Sequence, residues 1–259
     1  MRLAVAATAS LGADVLERLA ATHDIAYLLT RPDSPQGRGR KVAAPPAKAA
    51  AERLGITVHQ PEKPALPEPV DTVVVCAYGL YIPPRLLEQA LWVNVHPSLL
   101  PRWRGAAPVE RSILAGDEET GVTIHQTVEA LDAGPVATQE RWLIGDDDAG
   151  ATYARAGESA ARLLDEVLAN PHFEPQAEEG ATYAEKITPE DRELDLADPV
   201  DAWRRVRALS PHIGARGELE GRRVTVWAAR LEQGRFVPEI VQPEGKRRMA
   251  YDDFLRGLR

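Results

Sequence analysis

The chain has 259 residues, 44% of them hydrophobic, a single cysteine and a formal net charge of −8. That length suits one large or two unequal domains with a substantial core. The acidic balance argues against a protein that coats nucleic acid, the lone Cys76 rules out an intrachain disulfide and fits a reducing cytosol, and no stretch approaches the roughly 18 apolar residues needed to span a bilayer.

The short apolar start, residues 2–7, reads as a buried strand and not as a secretion signal, because an amphipathic pattern follows at once. Residues 11–21 read as a helix with Leu11, Val15, Leu16 and Leu19 on one face. Asp24–Thr30 is a second strand, and Pro32 to Pro46 is a loop rich in Pro, Gly and Arg. A helix over Ala47–Leu54 and a short strand at Ile56–His59 follow. The proline-rich stretch Pro61–Pro69 leads to a strong strand, Thr72–Ala77, which holds Cys76 as a buried thiol. After a turn at Tyr78-Gly79 and a short helix near Pro83–Gln89, the strand Trp92–Val95 delivers Asn94 and His96. Pro108–Ala115 is helical, with proline at its first turn. Gly121–Thr127 and Val136–Leu143 are strands, and Ala149–Leu168 is a long amphipathic helix. Alternating strands and helices predict a Rossmann-like, mostly parallel sheet with helices on both faces, whose ligands sit beyond the C-terminal strand ends.

The tail has a different texture. Ala197–Leu209 reads as a helix; Gly214–Leu219, Arg222–Leu231 and Arg235–Val241 read as short antiparallel strands with Glu220-Gly221 as the first turn. A basic hinge and a final helix close the chain. Pro171, Pro175, Gly180 and Pro189 mark a linker from about residue 170, which divides the chain into residues 1–188 and 189–259.

The charge is unevenly placed. Arg31–Lys48 carries five basic residues and one acidic, and Arg204–Arg259 thirteen basic and seven acidic, so two zones of +4 and +6 sit on a body of −18. Such zones suit a local grip on a polyanion, and equally suit solvated arginines.

No G-x-G-x-x-G follows the first strand and no phosphate-binding P-loop occurs, so the sheet need not hold a dinucleotide. The six histidines show no metal-ligand spacing, and no metal is expected. His59, His125 and His172 read as packed or surface residues. His96 stands apart. On an extended backbone Asn94 and His96 leave from the same side, where an amide and an imidazole can hold a carbonyl oxygen and move a proton beside it. The turn Leu131-Asp132-Ala133-Gly134-Pro135 offers a carboxylate. If parallel strands carry both turns to one sheet edge, Asp132 approaches His96.

These residues carry a resemblance. Asn94–Pro108, with Gly121-Val122-Thr123-Ile124 and Leu131-Asp132-Ala133-Gly134 behind it, resembles the methionyl-tRNA formyltransferases. Further pieces fit in order: Arg31-Pro32-Asp33 with Gly37–Lys41, Val74–Pro83, Glu179–Ala184 and Gln242–Lys246. The Asn-x-His and Leu-Asp-x-Gly pair is shared by folate-dependent formyltransferases at large; Ser98–Pro108 is specific to the tRNA enzymes. The resemblance implies formyl transfer from 10-formyltetrahydrofolate to the amino group of methionyl initiator tRNA through a tetrahedral intermediate. It implies Asn94, His96 and Asp132 as the catalytic residues, with a protonated His96 and Asn94 as oxyanion donors. It places Ser98, Leu99, Leu100 and Pro101 against the folate, and the Tyr78–Ile82 and Val128–Asp132 turns around its pterin. Arg38, with Arg40 and Lys41 in the same loop, falls where the family contacts the tRNA acceptor end. Residues 1–188 become the catalytic domain and 189–259 a short, barrel-like tRNA-binding domain, some tens of residues smaller than in typical relatives. A monomer in a bacterial or organellar cytoplasm is expected.

The chain departs from the family pattern at Ala7-Thr8-Ala9-Ser10-Leu11, at Ala133 where Thr is usual, at His125 where Met is usual, and at Ser210–Gly214. Three other readings stay open: formylation of an amino sugar nucleotide or other small amine, hydrolysis of formyltetrahydrofolate, and a non-enzymatic tRNA-binding relative.

Overall fold

The computed structural model describes residues 1–36 and 41–258. In chain order the elements are β1 (Leu3–Ala7), α1 (Ser10–Ala20), β2 (Ile25–Leu29), β3 (Ser34–Gln36), β4 (Lys41–Ala43), α2 (Pro46–Leu54), β5 (Val58–His59), β6 (Thr72–Cys76), α3 (Pro84–Leu87), β7 (Leu91–His96), β8 (Arg104–Gly105), α4 (Pro108–Ala115), β9 (Glu119–Gln126), β10 (Val136–Leu143) and α5 (Ala149–Ala169). Beyond these come β11 (Tyr183–Ala184), a 3-10 turn at Glu190–Arg192, α6 (Pro199–Leu209), β12 (Ala215–Leu219), β13 (Arg222–Glu232), β14 (Arg235–Pro243), β15 (Met249–Ala250) and α7 (Tyr251–Arg256).

Among the described residues the main sheet has seven strands in the order β10-β9-β7-β6-β1-β2-β5. The pairs β1–β2, β1–β6, β2–β5 and β6–β7 are parallel, whereas β7–β9 is antiparallel. Every residue of β1 and of β6 is buried, which is the mark of strands covered on both faces. On one face Ala4, Ala6, Tyr27, Leu29, Val73 and Val75 join Tyr78, Leu86 and Trp92 in a core cluster. On α1, Leu11, Val15, Leu16 and Leu19 are buried as their spacing predicts. Trp92 is sealed in this core with its indole N–H donated to the Leu86 carbonyl at 2.8 Å. Cys76 is fully buried, and burial pushes its thiol far above the usual range.

The chain falls into two compact units. The first holds residues 1–104, 121–141 and 154–182. The second holds residues 105–120, 142–153 and everything from Tyr183 onward, so α4 clusters with the C-terminal elements. The reason is apolar packing. Val109 and Ile113 of α4 share a core with Val206 and Leu209 of α6, Val224 and Val226 of β13, Val241 of β14 and Phe254 of α7. Strands β12 to β15 of this unit form one sheet in the order β12-β13-β14-β15, with antiparallel pairing throughout. Pro199 opens α6 behind an Asp198 cap, whose carboxylate accepts the Val200 and Asp201 amides at 3.1 and 3.0 Å.

Candidate active site

The site is built in the first unit around the end of β7. Asn94 and His96 alternate along that strand and meet β9 in register, Asn94 opposite His125 and His96 opposite Thr123. The expected approach of Asp132 to His96 is present, but its route differs from the parallel one. Because β9 runs antiparallel, it ends beside Val93, and the chain must fold back through residues 128–135 to bring the carboxylate home. Gln126 N–H closes that return on the Pro135 carbonyl at 2.8 Å. Asp132 itself sits at φ +49°, in the left-handed region that Asp tolerates better than most residues. Gly134 is required because a Cβ there would lie 1.8 Å from the Gln126 carbonyl oxygen.

The result is a compact polar cluster. Asn94 Nδ2 donates to Asp132 Oδ1 at 3.2 Å, and His96 Nδ1 lies 3.5 Å from Asp132 Oδ2. His96 Nε2–H donates to the Trp103 carbonyl at 2.8 Å, a network that assigns the remaining lone pair of the neutral ring to Nδ1. Trp103 takes φ +66° to present that carbonyl, a conformation costing a bulky residue about 1–3 kcal/mol. Its own N–H is held by Thr182 Oγ1 at 2.9 Å.

The protonated His96 that the resemblance implies as an oxyanion donor is disfavoured by the burial of its ring. Burial drives the ring below the ordinary histidine value; the Asp132 carboxylate pulls upward without overcoming it, and His125 adds to the depression. His96 therefore rests neutral at neutral pH, a base with a carboxylate poised to stabilise its charged form.

Sequence reasoning missed His125. Its side chain is 1% exposed and stands 3.7 Å from Asp132 Oδ1. Its Nε2 accepts from Asn94 Nδ2 at 2.9 Å while its Nδ1–H reaches the Gln126 carbonyl at 3.0 Å. The signal was the antiparallel register itself, which no periodicity within β9 announces. Trp103 and Gln176 were missed as well: the first acts through a carbonyl, the second from a segment far along the chain.

Ser98–Pro101 forms a tightly wired turn. Ser98 is fully buried, and its hydroxyl donates to the Arg102 carbonyl at 2.7 Å. The Thr123 hydroxyl donates to the Ser98 carbonyl at 2.6 Å and accepts from Leu100 N–H at 3.2 Å. Gln139 Nε2 holds both Thr123 Oγ1 and the Leu100 carbonyl at 2.8 Å. Leu100 is buried, Leu99 and Pro101 half-buried, and the Leu100–Pro101 peptide is cis. What this turn offers a ligand is apolar surface and main chain, not the serine hydroxyl. Tyr78 is likewise buried in the sheet core, and its carbonyl accepts the Thr8 hydroxyl at 2.7 Å.

Arg38 and Arg40 lie outside the described residues, and of Lys41 only the backbone is described, paired with Gln36 across β3 and β4. Among the described residues no group of three or more His, Cys, Asp or Glu side chains could hold a metal, and no helix is long and apolar enough to cross a membrane.

Comparison with known proteins bears on this geometry. The formyl transferase family matches residues 1–168. The chain is 38% identical to the methionyl-tRNA formyltransferase of Cereibacter sphaeroides, over 100% of this chain and 96% of that protein. It is 45% identical to the one of Halorhodospira halophila over 80% of this chain and 72% of that protein. Among solved structures, the methionyl-tRNA formyltransferase from Clostridium thermocellum superposes with a TM-score of 0.65 at 16% identity, covering 94% of this chain and 98% of that one, a likeness of fold.

Proposed function

The chain belongs to the methionyl-tRNA formyltransferases within the formyl transferase family, and from that premise we propose that it transfers the formyl group of 10-formyltetrahydrofolate to the amino group of methionyl initiator tRNA. The observation that carries the chemistry is the convergence of Asn94, His96 and Asp132 within 3.2 and 3.5 Å, from segments 38 residues apart in the chain. Those three are the catalytic residues of this reading.

The attacking amine forms a C–N bond to the formyl carbon, and negative charge develops on the formyl oxygen. Asn94 Nδ2 is the donor for that oxyanion, turning one of its protons from Asp132 Oδ1 to the new charge. The amine must then lose a proton. Neutral His96 takes it at Nδ1, the atom whose lone pair faces Asp132. The resulting imidazolium lies beside a carboxylate that stabilises it. The same proton goes to N10 of the folate as the C–N10 bond breaks, so the ring ends neutral. Burial keeps His96 ready to accept, and Asp132 keeps the accepted proton from being prohibitively costly.

Ser98, Leu99, Leu100 and Pro101 form the wall for the folate in this reading, offering main-chain groups and apolar surface to a flat polar heterocycle. Arg38, Arg40 and Lys41 are assigned to the tRNA acceptor end, and residues 189–259 to the tRNA body. The enzyme works as a cytoplasmic monomer, with no metal in the chemistry.

The test is formyl transfer to methionyl initiator tRNA, measured beside transfer to a small amine and formate release without acceptor. Transfer confined to the tRNA supports the reading; equal rates on a free amine, or formate release alone, overturn it. Arg38→Ala should lose activity on the tRNA only.

A further inference from the structure

Asp132 sits on a left-handed turn that is braced from outside as well as from within. Ala133 N–H reaches the Ala130 carbonyl only at 3.3 Å, while the carbonyls of Asp132 and Gly134 both face the same outside donor. That donor is Gln176 Nε2, at 3.0 Å from each.

Gln176 arrives from beyond α5. The strand-like bridge Val136–Glu174, closed by two N–H···O bonds of 2.8 Å, sets its register so that residue 176 falls opposite the acidic turn. Its amide has one allowed orientation. Arg104 Nε donates to Gln176 Oε1 at 2.8 Å, so a flipped amide would set N–H against guanidinium and oxygen against two carbonyls. Arg104 is only 2% exposed, and it is itself held by a two-point fork to Glu178 at 3.2 and 3.2 Å.

Arg104 follows Trp103, whose carbonyl fixes the His96 ring. The Trp103-Arg104 dipeptide thus references both partners of the acid–base pair: His96 directly, and Asp132 through Gln176. We infer that Gln176 is a positioning residue for formyl transfer, clamping the Asp132 turn so that the carboxylate stays at the His96 ring. This rests on the catalytic reading above.

Two variants separate clamping from packing. Gln176→Glu keeps the shape and the acceptor for Arg104 but replaces the donor by an oxygen facing two carbonyls. Gln176→Leu removes both roles and adds no charge. With the proposal, both lower kcat about tenfold to hundredfold, with the KM of the formyl donor nearly unchanged, since displacements near 1 Å have costs of this order. Gln176→Glu with kcat within twofold of wild type overturns it, because packing and the Arg104 contact would then suffice. A readout free of activity accompanies this. The His96 ring faces Asp132, His125 and the Trp103 carbonyl, and in Gln176→Leu its NMR titration midpoint should move down by about 0.5 or more as the carboxylate drifts away. An unmoved midpoint overturns the clamp even if the wild type formylates nothing, whereas an inactive wild type with a shifted midpoint condemns only the functional reading.

Discussion

Asn94 on β7 and His125 on β9 face each other in register, and the Asn94 amide donates to His125 Nε2 at 2.9 Å. The second N–H of the same nitrogen goes to Asp132 Oδ1. His125 therefore fixes which way the amide points, and Asp132 holds the proton that the proposed reaction turns to the oxyanion. Replacing His125 by leucine leaves a half-buried donor unpaired, at a cost of about 1 kcal/mol, the low end for an unsatisfied group. Urea unfolding of His125→Leu should show that loss, and His125→Gln, which restores an acceptor, should recover part of it. A leucine variant as stable as wild type would mean that the contact contributes nothing net.

In the proposed reaction Asn94 is the oxyanion donor, and Asn94→Ala removes it. The expected loss in kcat is roughly 100–1,000-fold, about 2.7–4 kcal/mol in barrier, with the KM for the folate little changed. Asn94 is half-buried, so the fold should tolerate the truncation; thermal unfolding checks that. A loss under fivefold would move oxyanion stabilisation to other donors.

The pH dependence follows from His96. Folding lowers the ring's affinity for a proton because burial penalises the charged form. The unfolded chain then binds more protons than the folded one between the folded value and the ordinary 6.5, so stability rises with pH across that window. The contribution is fully present above about 6.5 and is lost as pH falls through the folded value. Unfolding free energies measured from pH 8 to pH 5 should decline on the acid side, less steeply in His96→Gln. If His96 is the base of the proposed reaction, the acid limb of kcat/KM should fall below the ordinary histidine value, since that base must be neutral. A limb above 6.5 would contradict a ring held neutral by burial.

Much of this site is written locally. Asn94 and His96 share a side because strands alternate, and the Leu-Asp-Ala-Gly-Pro turn follows from residues suited to left-handed and crowded backbone. The α1 face and the buried runs of β1 and β6 are equally plain. What the sequence does not spell is long-range register and backbone chemistry. His125 enters the site because β9 is antiparallel to β7, Trp103 because its carbonyl turns inward, and Gln176 because a bridge at Glu174 aligns it with the turn. The charge state of His96 also depends on a competition that residue types cannot decide: a nearby carboxylate raises it, and burial overrules the carboxylate. In the second unit, Val109 and Ile113 show an apolar helix face, yet nothing in their spacing names Val206 and Val226 as its cover.

Gly134→Ala tests the turn by sterics. The added Cβ would fall 1.8 Å from the Gln126 carbonyl oxygen and 3.3 Å from Val128, so backbone must move. Overpacking of this kind costs about 1–3 kcal/mol, and the movement should carry Asp132 away from His96. A fall in melting temperature together with a loss of kcat is expected. Stability lost without kcat would show that the carboxylate's position survives a distorted turn.

The basic tail divides into cations spent inside the fold and cations left for a partner. Arg207 is 7% exposed and donates to the Gly145 and Asp147 carbonyls, Arg205 pairs with Asp201, and Arg230 with Glu232 and Glu239. Arg222, Arg235, Lys246 and Arg247 are exposed, and among the described residues they meet no carboxylate. If residues 189–259 hold the tRNA body, the second group grips its phosphates. Reversing Lys246 and Arg247 to glutamate should raise the KM for methionyl-tRNA and flatten its dependence on salt, by about 0.9 in log–log slope for each phosphate that is no longer neutralised. The KM for the folate and the melting temperature should stay near wild type, because these side chains support no packing. An unchanged salt slope would take this surface out of tRNA binding and leave the Gly37–Lys41 loop to supply the electrostatic grip.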